Sequence, residues 1–250
     1  MMTDFNIKDA VKFVEALVQE KIPMNKEQFE AREEELRLKW LDDFDAKYLY
    51  GELNYLHPQL FCFKKITSGN LRNSMKITDM LGHKPEVILD YAAGIGLSSL
   101  YMAMWYPNAQ IIYYEYGNRH TDEIARKLFK HFGATNINIV SNAETLAKIN
   151  YDILATFETL EHFKDPFYLL DLLVHDDLKL FWEASSFTYS AAGHFPVFMR
   201  DGVEVKPNKM GANIRNYFSK LNMFPFYDFG VSRKGVTWNG HPRVFYKKQD

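Results

Sequence analysis

Cysteine is almost missing from this 250-residue chain, in which Cys62 is the single example. One thiol cannot form an intramolecular disulfide or a zinc ribbon, and it favours a reducing compartment. The chain also has no run of about 18 uncharged apolar residues, and acidic residues lie near its start, where a signal peptide would be basic and then apolar. We therefore expect a cytoplasmic protein with no membrane partner.

A marked excess of one charge sign is also lacking, since the formal net charge is -2 at pH 7. A near-neutral chain has little general affinity for nucleic acid, so nucleic acid is not the expected partner. The charge is unevenly distributed, because residues 200–250 hold ten Lys and Arg but four Asp and Glu. We interpret this as ordinary surface variation, with the alternative that the C-terminal region helps to hold an anionic substrate.

Two patterns of apolar residues divide the sequence near residue 83, and the first is helical. A 3.6-residue period predicts one amphipathic helix from the positions Ile7, Ala10, Val11, Val14, Leu17 and Val18. Asn25 and Gln28 have the spacing of a capping box that begins a second helix, and a further helical stretch ends at Gly82. The prediction is a helical segment over residues 1–83 and a second domain over residues 84–250.

After residue 84, short apolar runs alternate with stretches of helical length. The seven runs are Val87–Leu89, Gln110–Tyr114, Asn138–Val140, Ile153–Thr156, Lys179–Trp182, Pro225–Phe229 and Val244–Tyr246. Strands separated by helices predict an α/β fold with a doubly wound, mostly parallel, Rossmann-like seven-stranded sheet. The last two runs are close in sequence, which favours an antiparallel hairpin at one edge.

The most informative stretch is the glycine loop, defined as residues Ala92–Gly96. It follows a strand that ends at Asp90 and precedes a helix that begins near Ser98. Glycines let a ligand approach the backbone, and the first N–H groups of a helix have no partners within it. The next strand ends at Glu115, where an acid can accept hydrogen bonds from both hydroxyls of a ribose. This pattern predicts a site for a small polar ligand.

The glycine loop resembles motif I of class I S-adenosylmethionine-dependent methyltransferases, in which an acid precedes three glycines at alternate positions. Asp90, Gly94 and Gly96 match that motif, and Ala92 stands in place of its first glycine. The loop also half fits a dinucleotide fingerprint. A carboxylate would repel a pyrophosphate, however, whereas it would attract the ammonium of the cofactor's methionine part.

A second resemblance lies in residues 151–166, YDILATFETLEHFKDP. This stretch is similar to the fourth motif of the same superfamily, as found in ubiquinone-biosynthesis O-methyltransferases. The two resemblances cover residues 85–185 and imply S-adenosylmethionine as the cofactor. The residues that they imply as cofactor contacts are Asp90, Ala92, Gly94, Gly96, Glu115, Asn142, Ala143 and Phe157. For Phe157, packing in the core is an equal alternative.

Glu158, Glu161 and His162 are the main candidates for chemistry. Their i, i+3, i+4 spacing would place all three side chains on one side of a helical turn. In one interpretation His162, with Glu161 beside it, is the general base that takes a proton from the methyl acceptor, or else orients that acceptor. In another, which metal-binding relatives imply, these residues and His194 hold Mg²⁺ or Mn²⁺. A third interpretation is structural.

We therefore predict a methyltransferase that acts on oxygen or nitrogen of a small molecule, with the N-terminal helices as a lid over the site. One alternative is a metal-assisted RNA 2′-O-methyltransferase, and another is a non-catalytic regulatory protein that binds S-adenosylmethionine. For Trp40, Tyr48, Tyr50, Tyr55 and His57 in the N-terminal segment we favour packing in the core, with the alternative that they line the acceptor pocket. Further candidates for the wall of that pocket are Trp182 and Phe195. We interpret three residues beside the predicted edge hairpin as structural, namely Asn239, His241 and Arg243.

Overall fold

The computed structural model describes residues 6–22, 25–43, 56–115, 119–191, 193–226 and 243–248. The predictions for Tyr48, Tyr50, Tyr55, Asn239 and His241 lie outside these residues. None of the helices in the described ranges is long and apolar enough to cross a membrane.

A seven-stranded sheet forms the centre of the molecule. Five strands are parallel: β1 (Val87–Tyr91), β2 (Gln110–Tyr114), β3 (Ile137–Val140), β4 (Ile153–Phe157) and β5 (Leu180–Ala184). A separate two-stranded hairpin follows, with β6 (Phe198–Arg200) and β7 (Val203–Val205). The last strands of the main sheet are β8 (Met223–Pro225) and β9 (Arg243–Lys247), and β9 is antiparallel to both β5 and β8. The order β3-β2-β1-β4-β5-β9-β8 confirms the predicted mostly parallel sheet with an antiparallel edge pair.

Helices precede the sheet and alternate with its strands. The N-terminal helices are α1 (Ile7–Lys21), α2 (Lys26–Asp43), α3 (Leu56–Cys62) and α4 (Ser68–Met80), and a π-helical turn, Phe63–Thr67, joins α3 to α4. The later helices are α5 (Leu97–Trp105), α6 (Arg119–His131), α7 (Ala143–Leu146), α8 (Pro166–Leu173) and α9 (Pro207–Lys220). A 3₁₀ turn, Leu160–His162, lies between β4 and α8.

The predicted starts of the N-terminal helices agree with the structure. The apolar stripe of α1 extends over Ile7–Lys21. Asn25 N donates to Gln28 Oε1 at 2.9 Å, and Gln28 N donates to Asn25 Oδ1 at 3.0 Å, which is the reciprocal capping box.

The N-terminal helices share an apolar core with the sheet. Val14 and Val18 of α1 are fully buried in the same cluster as Ile88 of β1 and Trp182 of β5. The core therefore continues across residue 83, where the sequence pattern changes.

The order of the strands places a crevice beside β1. From β1 the chain moves outward through β2 to β3, and it then returns to β4 on the other side of β1. Connections that leave in opposite directions open a crevice at the carboxyl ends of the two strands, and ligands of doubly wound sheets bind there. The glycine loop follows β1 and the Glu158–His162 segment follows β4, so both motifs lie at this crevice.

Candidate functional site

The glycine loop has a left-handed backbone at three alternate positions. The φ angles are 57° at Ala92, 55° at Gly94 and 80° at Gly96. A Cβ at Gly96 would lie 2.8 Å from Phe129 and 2.9 Å from Ala125 of α6, so helix packing also requires a glycine there. Ala92 adopts the same left-handed region although it has a side chain, and this conformation costs about 1 kcal/mol of folding free energy.

Residues at the end of β2 fix the peptide groups of Gly94. Its N–H donates to Glu115 Oε2 at 2.6 Å, and its carbonyl oxygen accepts from Tyr113 Oη at 2.8 Å. Glu115 is buried beside the loop. The structure therefore places Glu115 directly after β2 and against the glycine loop, where it supports the loop, a role that the sequence did not indicate.

Asp90 ties the end of β1 to the start of α5. Its Oδ2 accepts from Ser98 Oγ at 2.6 Å and from Ser99 Oγ at 2.5 Å. Asp90 as a residue is 2% exposed. Burial raises the pKa of Asp90 to about 6, although the two hydroxyl groups act in the opposite direction. The side chain thus lies behind the loop.

Helix α3 brings a residue to the loop that the sequence analysis missed. The carboxamide carbon of Gln59 would lie 3.3 Å from a Cβ placed on Gly94. Its Oε1 is buried and has no hydrogen-bond partner among the described residues. No local signal marks Gln59, because only the tertiary fold carries α3 to this edge of the sheet.

The other predicted cofactor residues lie at the ends of β3 and β4. Asn142 and Ala143 are exposed, and Asn142 Oδ1 accepts from Thr145 N at 2.7 Å at the start of α7. Phe157 ends β4 and is buried in the core cluster. A cofactor fits this edge because Gly94 has no side chain to exclude a ligand from the loop and because Gln59 presents a buried acceptor for which the described residues supply no donor.

A second polar cluster lies after β4. The rings of His162 and His194 are nearly perpendicular, with centroids 4.9 Å apart. The ligand atoms of Glu161, His162 and His194 all lie within 4.8 Å of one another. His194 Nδ1 lies 2.7 Å from Tyr189 O. Donation from an Nδ1–H to that carbonyl leaves Nε2 as the nitrogen that can accept a proton or bind a metal ion.

The prediction that Glu158, Glu161 and His162 lie on one side of a helical turn is wrong. Glu158 has a left-handed backbone with φ 49°, and the residues after it form the 3₁₀ turn rather than an α-helical turn. Glu158 Oε1 instead accepts from Ser186 Oγ at 3.4 Å. His194 is held near the turn because Phe195 N donates to Glu161 O at 3.2 Å.

Burial shapes the protonation of this cluster. Desolvation, together with the charge of Glu161, raises the pKa of Glu158. Desolvation and the proximity of His194 lower the pKa of His162 to about 4, so its imidazole is neutral at pH 7. The Oε1 of the fully buried Glu161 accepts from Ser186 N at 2.8 Å, but its Oε2 has no such partner among the described residues. A carboxylate oxygen without a donor beside two imidazoles is a set of groups that fits a divalent cation.

Helix α2 reaches the same cluster through Trp40. The indole Nε1 donates to His194 O at 3.0 Å, and the ring meets Phe195 edge to face at 5.0 Å. Trp40 is 1% exposed. By contrast, Trp182 is a core residue whose Nε1 donates to Thr78 Oγ1 at 3.1 Å, so the prediction of a pocket wall is wrong for this residue.

No protein-family model matches the sequence, and no curated protein is detectably similar to it. Several solved structures share the fold. The plantazolicin methyltransferase BpumL, solved with a monoazolic desmethylPZN analog and SAH, is 14% identical; the match covers 88% of this chain and 99% of BpumL, with a TM-score of 0.50. The methyltransferase domain of bacterial-CtHen1-CN is 13% identical over 73% of this chain and 100% of that domain, also with a TM-score of 0.50. EvdMO1 matches 71% of this chain at 12% identity, with a TM-score of 0.47. The match spans 41% of the length of EvdMO1.

Proposed function

We propose that this chain, which has the fold of class I S-adenosylmethionine-dependent methyltransferases, transfers a methyl group from that cofactor to oxygen or nitrogen of a small molecule. The main supporting observation is the glycine loop, which Glu115 holds through the N–H of Gly94 at the crevice between β1 and β4. Ligands bind at this crevice in doubly wound sheets.

Each side of the crevice has a role in cofactor binding under this proposal. Glu115 accepts hydrogen bonds from the ribose hydroxyls while its Oε2 keeps the loop in shape. Asn142 and Ala143 border the adenine at the exposed end of β3, and Phe157 supports the floor from the core. The contacts along the loop are assigned to Ala92, Gly94 and Gly96, with Asp90 behind them. The bound cofactor supplies an electrophilic methyl group on a positively charged sulfur.

Positioning and proton removal are the tasks of the residues after β4. Methyl transfer is an in-line displacement, so most of the rate comes from holding the acceptor in line. The neutral imidazole of His162 accepts the acceptor's proton as the new bond forms. Glu161 favours the imidazolium that results, because a nearby negative charge raises the pKa of His162 against the effect of burial.

The Oε2 of Glu161 supports a second candidate, which is metal-assisted methylation of a hydroxyl group. Glu161, His162 and His194 would hold Mg²⁺ or Mn²⁺, with Glu158 next to Glu161. The ion would lower the pKa of the acceptor hydroxyl. An RNA 2′-hydroxyl is the acceptor that this version favours, and the excess of basic residues after residue 200 is consistent with it.

Calorimetry with S-adenosylhomocysteine and with NAD tests the cofactor. We expect S-adenosylhomocysteine to bind and NAD not to bind. Methyl transfer from labelled S-adenosylmethionine into a metabolite extract and into RNA then identifies the acceptor class. Binding of NAD alone would overturn the proposed function, and cofactor binding without transfer to any acceptor would leave the non-catalytic regulatory alternative.

Chelator treatment separates the two versions of the chemistry. A metal site predicts that activity falls with chelator, returns with Mg²⁺ or Mn²⁺, and is nearly as sensitive to His194→Ala as to His162→Ala, since both residues would bind the same ion. A metal-free base predicts no effect of chelator and a loss on the order of 10²–10⁴ in turnover for His162→Ala. The exposed Glu204 gives a control, since Glu204→Ala should have no effect on activity. Full activity of both His162→Ala and Glu161→Ala contradicts both versions.

A further inference from the structure

The carboxamide of Gln59 lies against the glycine loop, and its oxygen has no donor. Its Cδ, Nε2 and Oε1 would lie 3.3, 3.5 and 3.5 Å from a Cβ on Gly94. Oε1 is buried without a hydrogen-bond partner among the described residues. A buried amide oxygen without a donor destabilises the folded protein, so a glutamine at this position indicates a donor that a ligand supplies.

The position of Gln59 is fixed by its own helix. Leu56, Leu60 and Phe63 are buried in the core cluster that also contains Ile95 and Leu97, at the end of the loop and the start of α5. The residue as a whole is partly exposed, so its amide group can turn toward a bound molecule without movement of the helix. Because helix α3 already fixes the backbone of Gln59 beside the loop, little conformational entropy is lost when the amide group binds a ligand.

Three other polar groups at the loop have partners within the protein. The N–H of Gly94 donates to Glu115, and its carbonyl oxygen accepts from Tyr113. Asp90 Oδ2 accepts from two serine hydroxyl groups and is almost inaccessible to solvent. Gln59 Oε1, by contrast, is a buried side-chain acceptor at this loop for which the described residues provide no donor.

We infer that Gln59 Oε1 accepts a hydrogen bond from the ammonium group of the cofactor's methionine part, with Asp90 as a positioning residue behind the loop. This inference rests on the proposed function. Of the donors on S-adenosylmethionine, the ribose hydroxyls are assigned to Glu115 at the end of β2. The ammonium is the charged donor at the opposite end of the molecule, and hydrogen bonds to charged groups are the stronger ones.

Four ligands that differ at the amino-acid end test the inference by calorimetry: S-adenosylhomocysteine, its deaminated analogue, its decarboxylated analogue and 5′-methylthioadenosine. Gln59→Leu should weaken binding of the two ammonium-bearing ligands, S-adenosylhomocysteine and the decarboxylated analogue, by at least about tenfold. The affinity of Gln59→Leu for the deaminated analogue and for 5′-methylthioadenosine should stay within about twofold of the wild-type affinity. Gln59→Glu keeps an acceptor and should retain the affinity for the ammonium-bearing ligands.

Gln110→Leu is the matched control, since Gln110 is exposed at the start of β2, at the other end of the sheet. A similar loss for all four ligands in Gln59→Leu would mean that Gln59 only shapes the loop, and an unchanged affinity for S-adenosylhomocysteine would remove it from the site. A loss confined to the carboxylate-bearing ligands would assign the contact to Nε2. Each of these results overturns the inference, whereas failure of the wild type to bind any of the four overturns the proposed function. Gln59→Met serves the same comparison if Gln59→Leu does not fold.

Discussion

Ala92 and Gly96 lie four residues apart in the same left-handed backbone region, with φ angles of 57° and 80°. Ala92→Gly should raise the free energy of unfolding by about 0.5–1 kcal/mol, because relief of strain exceeds the extra freedom of glycine in the unfolded chain. Gly96→Ala should lower it by more than about 2 kcal/mol, since the new methyl group also collides with Phe129. Urea denaturation measures both changes. A destabilised Ala92→Gly variant would show that the alanine methyl group makes a packing contact worth more than the strain.

Asp90 should make the stability of the protein depend on pH. Its pKa rises from 3.8 to about 6 on folding because the carboxyl is buried. The folded chain therefore binds the proton more tightly, and the resulting stability is present below about pH 4 and is lost as the pH rises through about 6. Between about pH 4 and pH 6 the free energy of unfolding of the wild type should fall by on the order of 3 kcal/mol relative to that of Asp90→Asn. Denaturation of both proteins across this range tests the effect, and parallel profiles would contradict it.

At the level of elements, Trp40 connects α2 to the backbone of His194. Trp40→Phe removes the hydrogen bond from Nε1 to His194 O and keeps an aromatic ring against Phe195. Under the proposed function, turnover should fall by about tenfold, because loss of this hydrogen bond displaces His194 and its neighbour His162, and a small displacement of reacting groups slows the reaction. Affinity for S-adenosylhomocysteine should stay at the wild-type value. Leu38→Ala, on the exposed side of α2, is the control, and equal effects of the two variants would contradict a specific link.

Elements with a strong local pattern were predictable from the sequence. The buried strands β1, β2, β4 and β5 each contain a continuous run of apolar residues, and the capping box of Asn25 and Gln28 depends on residues three apart. The hairpin of β6 and β7 was missed because three-residue strands are too short to show a period. Helix α9 was not predicted either, nor was the π-helical turn, which has no distinctive sequence pattern.

The candidate site was predictable where its residues lie at the ends of strands. Glu115 and Glu161 follow β2 and β4, so parallel pairing alone brings them to one edge of the sheet. Gln59 and Trp40 reach the site from helices that precede the sheet. Trp40 was a candidate residue, but nothing near it in sequence indicates its contact with His194, and no signal marked Gln59 at all. Residues at strand ends are placed by the local strand pattern, whereas residues on the N-terminal helices reach the site through contacts with residues far away in sequence.

For the whole molecule, the shared core implies that α1 and the sheet unfold together. Val14 is fully buried in the cluster that contains Ile88 and Trp182. Val14→Ala should therefore destabilise the protein by about 2 kcal/mol and lower the protection of strand amides in hydrogen exchange by the same free energy. Loss of protection confined to α1 would show that the N-terminal helices unfold separately. Lys12→Ala, on the exposed side of α1, should leave strand protection unchanged.

The π-helical turn at Phe63–Thr67 sets the rotational phase between α3 and α4. Such a turn has one more residue than an α-helical turn, so the two helices can each meet their own neighbours along one continuous backbone. On one side of the turn Gln59 faces the glycine loop, and on the other side Thr78 meets Trp182. Deletion of a single residue within the turn would restore a regular helix and rotate α3 by about 100° against α4. The carboxamide would then point away from Gly94 although every atom of Gln59 was still present.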